Sequence, residues 1–487
     1  MPTIITSGAG SMKGYGFSYA NLGGTNFAAF FVGSKNTYCS FNSITLDKCS
    51  NVIVAGGLGC GNCSTGIPNI IKVNPKTGTV TAAVRMRVAA NSCCSRCPNP
   101  SRYCNVCKVL AVKTDNSNNI FVSGGAVIAK FPSSLASITS HVNLPYLSSC
   151  YYTGCFGRQA INNLGIDSSC NIYSVSWAYP GRGVCNNGLS LYKFNNSLST
   201  CQIFSVNNGK NISTSGVSSS SIDSSGNSYI MGNYVVSCFT QKLVKYNSSG
   251  TKQWEIGYCC FKVTSGGGTT QIFVNGIVAD ASGRVTSSSS ETLSGTRYVF
   301  VQQTNSTGTG KNWIFTINQN QTCGNKSVCL GGNQGRLAVD SCCNVYLSGQ
   351  VNCHCGSTCR SRGLVVKINS SGVVQWQRQF KVSGSIDVNG GPIYVSGCNY
   401  YVSFNYNTTG NFLLSLPKDG SKTGSISIPG SYTICYAPTT LITKLTTATS
   451  SSTTSYSLPV CSPFLTPTTA SVPSRSTPSY TKYITKI

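Results

Sequence analysis

The sequence predicts an all-β fold built from repeated four-stranded antiparallel sheets, and three observations lead to that prediction. First, residues 218–254 read SSSSIDSSGNSYIMGNYVVSCFTQKLVKYNSSGTKQW, in which short apolar stretches alternate with turn residues. Apolar stretches bounded by Gly, Asn, Asp and Ser are typical of β-hairpins. Second, the same layout returns at 336–380. Third, no window of the chain shows the apolar stripe of an amphipathic helix.

One acidic position marks the repeat seven times. The turn between the first two strands of each copy begins with Asp, and seven of the eight Asp residues of the chain occupy it: Asp47, Asp115, Asp167, Asp223, Asp280, Asp340 and Asp387. A carboxylate at such a turn accepts hydrogen bonds from nearby backbone N–H groups, which predicts a structural role. Bound Ca²⁺ is the alternative, but one carboxylate per turn supplies few of the about six to eight oxygens that this ion takes.

The remaining strands of each copy follow the Asp turn in order. Predicted second strands include NVIVAGG at 51–57, NVYLSG at 344–349 and, in the last copy, PIYVSG at 392–397. Predicted third strands include LVKYN at 243–247, VVKIN at 365–369 and LLSLP at 413–417. The copy around Asp280 is the most degenerate, because ADASGRVTSSSS lacks the apolar second strand.

The order of segments predicts a closed ring with an extension at each end. Residues 1–25 are rich in Gly and Ser and are interpreted as an N-terminal docking arm. Residues 26–43 predict two strands that complete the last sheet, so that 26–429 form a seven-bladed β-propeller without long exposed edges. Residues 430–487 are rich in Ser, Thr and Pro and predict either a disordered tail or an extended strap that adds strands to a neighbour.

Two resemblances accompany these patterns. The unit DSSGNSYIMG…LVKYNSSGTKQW resembles a bacterial β-propeller repeat with an Asp-x-x-Gly-Asn turn and a later Val-x-Lys strand. The opening TSGAGSMKGYGFS resembles a short glycine-rich segment at the start of many tailed-phage structural proteins. The first resemblance implies the fold, and the second implies a virion component such as a tail fibre, a spike or a decoration protein.

Charge and composition restrict the functional classes. The chain has 36 basic and 10 acidic residues, a net charge of +26, which favours an acidic partner. No dense basic run is present, so a nucleic-acid partner is not predicted. No long apolar run predicts a membrane span or a secretion signal. The few carboxylates and histidines form no acid–base pair, so we predict neither an enzyme nor a cofactor.

The chain contains 27 cysteines, and most are predicted to lie in loops. Disulfides that cross-link loops restrict the unfolded chain, and their presence favours a virion or extracellular location. The spacing Cys94-x2-Cys97-x6-Cys104-x2-Cys107 leaves a thiolate metal site open as the alternative, as does Cys353 with His354, Cys355 and Cys359. The candidates for disulfides or, second, for metal binding are Cys94, Cys97, Cys104, Cys107, Cys150, Cys155, Cys323, Cys329, Cys353, Cys355 and Cys359.

These observations predict a non-enzymatic structural protein of a virus particle that attaches to its host. Loops with basic and tyrosine side chains would contact a host-surface glycan, and a homo-oligomer would add avidity to weak sites. The predicted contact residues are Tyr151, Tyr152, Tyr179, Arg182, Tyr258, Arg360 and Arg362. The alternatives are a purely architectural capsid or tail protein, in contact with other virion proteins only, and a secreted bacterial adhesin or lectin.

Overall fold

The structure is a computed structural model, and it contains β-strands and turns throughout its described residues. It describes residues 4–5, 15–33, 38–59, 70–86, 109–124, 127–143, 159–178, 188–205, 219–235, 239–259, 272–293, 296–318, 326–329, 336–353, 361–384, 386–406, 410–428, 432–439, 469–470 and 484–486. No helix in this part of the chain is long and apolar enough to cross a membrane.

Three described strands precede the first blade, and the first of them is only two residues long. They are β1 (Ile4–Ile5), β2 (Tyr15–Gly23) and β3 (Asn26–Gly33). The first three blades then follow in chain order. Blade 1 has β4 (Tyr38–Leu46), β5 (Val52–Gly59), β6 (Ile70–Asn74) and β7 (Thr79–Met86). Blade 2 has β8 (Ala111–Thr114), β9 (Ile120–Gly124), β10 (Val127–Phe131) and β11 (Ser140–Asn143). Blade 3 has β12 (Gln159–Ile166), β13 (Ile172–Ala178), β14 (Gly188–Phe194) and β15 (Cys201–Ser205).

The next three blades repeat this layout. Blade 4 has β16 (Ser219–Ile222), β17 (Ser228–Val235), β18 (Phe239–Tyr246) and β19 (Lys252–Cys259). Blade 5 has β20 (Ile272–Ala279), β21 (Val285–Leu293), β22 (Thr296–Thr304) and β23 (Lys311–Asn318). In blade 6 the inner position is shared by β24 (Lys326–Cys329) and β25 (Leu337–Val339), which pair with successive parts of β26 (Val345–Cys353). Its outer strands are β27 (Arg362–Ile368) and β28 (Val374–Val382).

The last blade closes the ring with strands from both ends of the propeller. It contains β29 (Val388–Ser396), β30 (Asn399–Tyr406) and β31 (Gly410–Pro417), and β3 pairs with β31 as its fourth strand. The inner strands contact one another all the way round, including β29 with β4. The predicted all-β seven-bladed propeller is therefore confirmed. Of the two predicted closing strands, β3 completes the last blade, whereas β4 begins blade 1.

The extensions at both ends add strands to blades of the same chain. At the N-terminus, β2 pairs with β3 as a fifth strand of blade 7, and β1 pairs with β2. After blade 7 come β32 (Gly424–Ile428), β33 (Tyr432–Pro438), β34 (Thr469–Ala470) and β35 (Ile484–Lys486). The outer strands β28, β15 and β7 pair with β33, β34 and β35 respectively. Docking of either extension on another molecule stays a prediction.

The hydrophobic core is divided among the seven junctions between neighbouring blades. Each of its seven clusters joins apolar residues of two adjacent blades, as in the cluster that packs Ile53 and Ile70 of blade 1 against Val112 and Phe131 of blade 2. The cluster between blades 7 and 1 contains Phe27 and Phe31 of β3, both of which have no exposed surface. Because β3 supplies this packing, the N-terminal strand is part of the core as well as of the hydrogen-bonded ring.

Candidate functional site

The Asp turns form one face of the ring, which we call the turn face. It carries the connections between the first and second strands and those that follow each third strand. In blades 1 to 6 the Asp backbone N–H and C=O close the turn, and its Oδ1 accepts the N–H of the residue four positions later at 2.8–3.0 Å. Its Oδ2 accepts a side-chain N–H of that same residue, from Asn in five blades and from Arg284 in blade 5.

Asp387 does not occupy this turn position, and the predicted register of the last blade was wrong. Asp387 directly precedes β29, and its Oδ1 accepts the N–H of Ser361 at 2.7 Å. The segment predicted as the second strand lies in β29, the first strand of the blade. The true turn is Gly397 and Cys398, and it contains no carboxylate.

A tyrosine and a lysine complete the unit in blades 3, 4 and 6. The hydroxyl of the second-strand tyrosine donates to Asp Oδ2 at 3.1 Å in Tyr173, Tyr229 and Tyr346. The lysine opposite on the third strand places Nζ 5.4–5.5 Å from the ring centre. Burial, and then the adjacent carboxylate, raise the pKa of all three tyrosines well above the ordinary value. The phenols therefore stay neutral hydrogen-bond donors to the carboxylate.

This unit has the properties of a structural element. Both oxygens of each carboxylate accept internal hydrogen bonds. Five of the six carboxylates also contact a tyrosine hydroxyl or a cationic side chain, as in the ion pairs Lys72–Asp47 at 2.8 Å and Arg284–Asp280 at 2.7 Å. Among the described residues, no group of three or more His, Cys, Asp or Glu side chains could hold a metal ion. The geometry supports turn closure and provides no free carboxylate for proton transfer in these turns.

Hydrogen bonds of one type join the blades at the turn face. At every junction a side chain of one blade donates to the backbone carbonyl of the second residue in the turn after the third strand of the next blade. The donors are Lys72 to Ser133 (2.8 Å), Lys130 to Asn196 (3.2 Å), Lys193 to Ser248 (2.9 Å), Trp254 to Ser306 (3.0 Å), Trp313 to Ser370 (3.3 Å), Trp376 and Lys367 to Lys418 (each 3.2 Å), and Tyr19 to Pro75. The sequence analysis did not predict these donors. A signal for them is present, because a Lys two residues before the turn that follows the third strand, and a Trp four or five residues after the Gly of that turn, recur in several blades.

The opposite face, which we call the loop face, carries all other connections. Second strands end there and third strands begin there, and each fourth strand leads from there to the next blade. The strands that flank the predicted contact residues end at this face. Five of those residues lie outside the described part of the chain: Tyr151, Tyr152, Tyr179, Arg182 and Arg360.

Two of the predicted contact residues lie on described strands next to the loop face. Tyr258 is in β19, and its side chain is outside the description. Arg362 begins β27, and its Nη1 donates to Oε1 of Gln379 at 3.2 Å. The guanidinium is therefore hydrogen-bonded to the neighbouring strand of its own blade.

The cysteines proposed as disulfide or metal ligands lie outside the residues whose side chains are described. Cys329 and Cys353 are in β24 and β26, and for the others neither backbone nor side chain is described. Their pairing stays a prediction. The cysteines with described side chains are Cys49, Cys170, Cys201, Cys342, Cys343, Cys398 and Cys435. Five of these lie in turns of the turn face, where Cys49, Cys342 and Cys398 are exposed.

Comparisons with known proteins give structural likeness only. No protein-family model matches the chain, and no curated protein matches it. Among solved structures, a polysaccharide lyase, ulvan lyase, is 10% identical with a TM-score of 0.36, over 61% of this chain and 79% of that one. The WD40 domain of SCAP from fission yeast is 8% identical with a TM-score of 0.33, over 78% and 92%. A glucose dehydrogenase is 8% identical with a TM-score of 0.32, over 63% and 98%. At these values the likeness carries no inference about activity, and the fold assignment rests on the strand pairing described above.

Proposed function

We propose that this chain is a non-enzymatic attachment protein of a virus particle, and that its loop face binds an anionic glycan. One observation carries the glycan proposal: acidic and basic residues are distributed differently between the two faces. Six of the ten acidic residues are the Asp residues of the turns, where their carboxylates are engaged internally. Asp419 lies on the same face, in the turn that follows β31.

The loop face has the opposite composition. The strands that end and begin at this face are joined in sequence by residues 34–37, 87–108, 144–158, 179–187, 206–218, 260–271 and 354–360, which lie outside the described residues and contain no acidic residue. They contain Lys35, Arg87, Arg96, Arg102, Lys108, Arg158, Arg182, Lys210, Lys262 and Arg360. The connection between β28 and β29 at this face holds one acid, Asp387, whose Oδ1 is bonded to Ser361. Sulfate and carboxylate groups of a polysaccharide are suited to this surplus of positive charge, because Arg and Lys donate charge-assisted hydrogen bonds to them.

The binding experiment compares two charge-matched variants of the full-length protein. The pair Arg182→Ser and Arg360→Ser, which we call the loop-face pair, removes two charges from the sequence segments 179–187 and 354–360 that join strand ends at that face. The pair Lys48→Ser and Lys76→Ser removes two charges from exposed positions of the turn face. Affinity for an immobilised sulfated polysaccharide is measured by surface plasmon resonance from low to high salt, with a neutral polysaccharide as the blank.

We expect the loop-face pair to weaken binding about tenfold or more, because each charge-assisted hydrogen bond contributes on the order of 1–2 kcal/mol. We expect the turn-face pair to bind like the unaltered protein. Equal weakening by both pairs would show that only net charge matters, and no binding by the unaltered protein would remove the glycan proposal and favour the architectural alternative.

The location on a virus particle is a separate part of the proposal. It is supported by the resemblance of the opening TSGAGSMKGYGFS to phage structural proteins and by the high cysteine content. Antibodies against this chain should label purified virus particles in immunogold electron microscopy. Labelling of the bacterial surface in cultures free of particles would instead support the secreted adhesin.

A further inference from the structure

The junction between blades 2 and 3 differs from the other six in its side chains. At the second position of the turn after its third strand, blade 3 has Asn196, whereas the other blades have Pro75, Ser133, Ser248, Ser306, Ser370 or Lys418. Blade 2 has Phe121 where blades 3, 4 and 6 have the tyrosine that donates to the Asp of the turn. Oδ2 of Asp115 therefore receives no tyrosine hydroxyl, and Nδ2 of Asn196 donates to it at 2.9 Å.

Lys130 contacts the same carboxamide from the other side. Its Nζ donates to Oδ1 of Asn196 and, at 3.2 Å, to the backbone oxygen of that residue. Nζ also lies 5.4 Å from the centre of the Phe121 ring. Nδ2 of Asn196 is 3.4 Å from the backbone oxygen of Cys170, which together with Asp115 fixes the plane of the amide. An amine, a carboxamide carbon and a carboxylate are thus held in sequence across the junction.

The strands and turns that carry this group contain buried side chains. Phe121, Phe131 and Phe194 have no exposed surface, Leu198 is 5% exposed, and Asp115 is 6% exposed. Lys130 and Asn196 are half-buried. Burial alone would raise the pKa of Asp115. The hydrogen bonds from Asn119, Asn196 and Ser117 outweigh that effect and lower the pKa below its ordinary value, so the carboxylate is ionised. Two groups that are fixed in contact react far faster than the same groups free in solution.

We propose that Lys130 and Asn196 form an isopeptide bond that covalently links blades 2 and 3. The Lys130 ammonium first releases one proton, and its neutral Nζ attacks Cγ of Asn196, forming the N–C bond of a new amide. The Cγ–Nδ2 bond breaks as a second proton passes from Nζ to Nδ2, which leaves as ammonia and takes up the first proton in solution. A lysine ammonium and a carboxamide become one amide and an ammonium ion, so the charge balances and no oxidant is required. Asp115 holds the departing amide nitrogen in place through its hydrogen bond.

A simpler role for Asn196 explains part of this geometry. Its amide replaces the missing tyrosine hydroxyl on Asp115, which accounts for the bond between Asn196 and Asp115 without any chemistry. The same interpretation gives Lys130 the ordinary junction contact with the backbone carbonyl. The two interpretations predict different covalent structures, so peptide mass analysis separates them.

The experiment is a tryptic map of the full-length protein after reduction and alkylation. We expect no peptide that ends at Lys130, because trypsin does not cleave after an acylated lysine. A branched peptide should join the segments of Lys130 and Asn196, with a mass lower by one ammonia than the sum of its parts. Lys193 is the internal control, since it lies over Tyr173 and donates to Ser248 in the same way but has no carboxamide partner.

Two variants complete the test. Lys130→Arg retains a cation over the Phe121 ring but removes the amine nucleophile, and it should abolish the branched peptide. Asp115→Asn should reduce its yield. Recovery of the Lys130 peptide in the same yield as the Lys193 peptide, with the amide of Asn196 intact, would overturn the proposal. Conversion of Asn196 to Asp without a branched peptide would overturn it as well, because water would then be the nucleophile.

Discussion

Replacement of Asp340 by Ala tests whether the turn carboxylates hold the propeller together. The carboxylate accepts four hydrogen bonds: Oδ1 from the N–H groups of Cys342 (3.0 Å) and Asn344 (2.8 Å), and Oδ2 from the Asn344 amide (2.9 Å) and the Tyr346 hydroxyl (3.1 Å). Asp340 is 9% exposed and Tyr346 has no exposed surface.

The expected loss of stability follows from these four bonds. The donors of Cys342 and Asn344 can reach water in the variant, so each of their bonds contributes about 0.5–1 kcal/mol. The Tyr346 hydroxyl is buried, and its loss of a charged acceptor costs about 1–3 kcal/mol, reduced by a longer contact of 3.4 Å with the Lys418 carbonyl. We therefore expect Asp340→Ala to lower the free energy of unfolding by roughly 3–5 kcal/mol.

The matched control is Asp419→Ala. Asp419 is exposed, and its Oδ1 accepts one backbone N–H, that of Ser421 at 2.8 Å. Its removal should cost about 0.5–1 kcal/mol. Unfolding in urea, followed by tryptophan fluorescence, is a suitable assay because the ring of Trp376 lies 6.1 Å from that of Tyr346. If the two variants unfold at the same urea concentration, the buried turn carboxylate does not stabilise the propeller more than an exposed one does.

Three further predictions follow from the turns and junctions. Gly308→Ala should destabilise the protein by about 1–3 kcal/mol, because the glycine has a φ of +72° and a Cβ there would lie 2.4 Å from the Trp254 ring; Gly232→Ala, with open space around it, is the control, and equal thermal shifts would contradict the packing argument. In a Lys130→Arg background, which cannot form the proposed cross-link, Asn196→Ser should cost about 1–2 kcal/mol, and adding Phe121→Tyr should restore most of it by supplying the hydroxyl found in blades 3, 4 and 6; additive effects of the two substitutions in urea unfolding would refute this compensation. Acid should destabilise the protein progressively below about pH 4, the ordinary pKa of Asp. The folded-state pKa is lowered in three of the six Asp turns, so their contribution to stability is present above the unfolded-state pKa and is lost as pH falls through the folded-state pKa. A folded fraction that is constant down to pH 2 would contradict this sign. The three positions are Asp47, Asp115 and Asp340.

Local interactions explain why six of the seven Asp turns could be predicted from the sequence. The hydrogen bonds of each turn join residues two to six positions apart, as between Asp340 and Tyr346, so the whole pattern is contained in a short stretch. The last blade was misaligned because Asp387 stands at the start of a strand and mimics the pattern. Its correct register depends on the pairing of β31 with β3, which comes from the other end of the chain.

The junctions could not be predicted in the same way, because their partners are far apart in sequence. Trp254 and Ser306 are 52 positions apart, and Lys367 and Lys418 are 51 apart. Which lysine meets which turn depends on the order and spacing of the blades. The division of the loops between two faces, in contrast, follows from the strand order alone. Aligning the repeats is therefore enough to predict which connections belong to the loop face.

The junctions and the net charge are connected through the small number of acidic residues. The chain stabilises its turns with carboxylates and its junctions with lysine, tryptophan and tyrosine donors on backbone carbonyls, so the contacts between blades need few acidic residues. Lys193, for example, neutralises no carboxylate at its junction, because its acceptor is the carbonyl of Ser248. The chain keeps a net charge of +26, and repulsion among like charges opposes the compact state. An anionic partner at the loop face would relieve that repulsion where basic residues accumulate, and binding would then stabilise the ring as well as attach it.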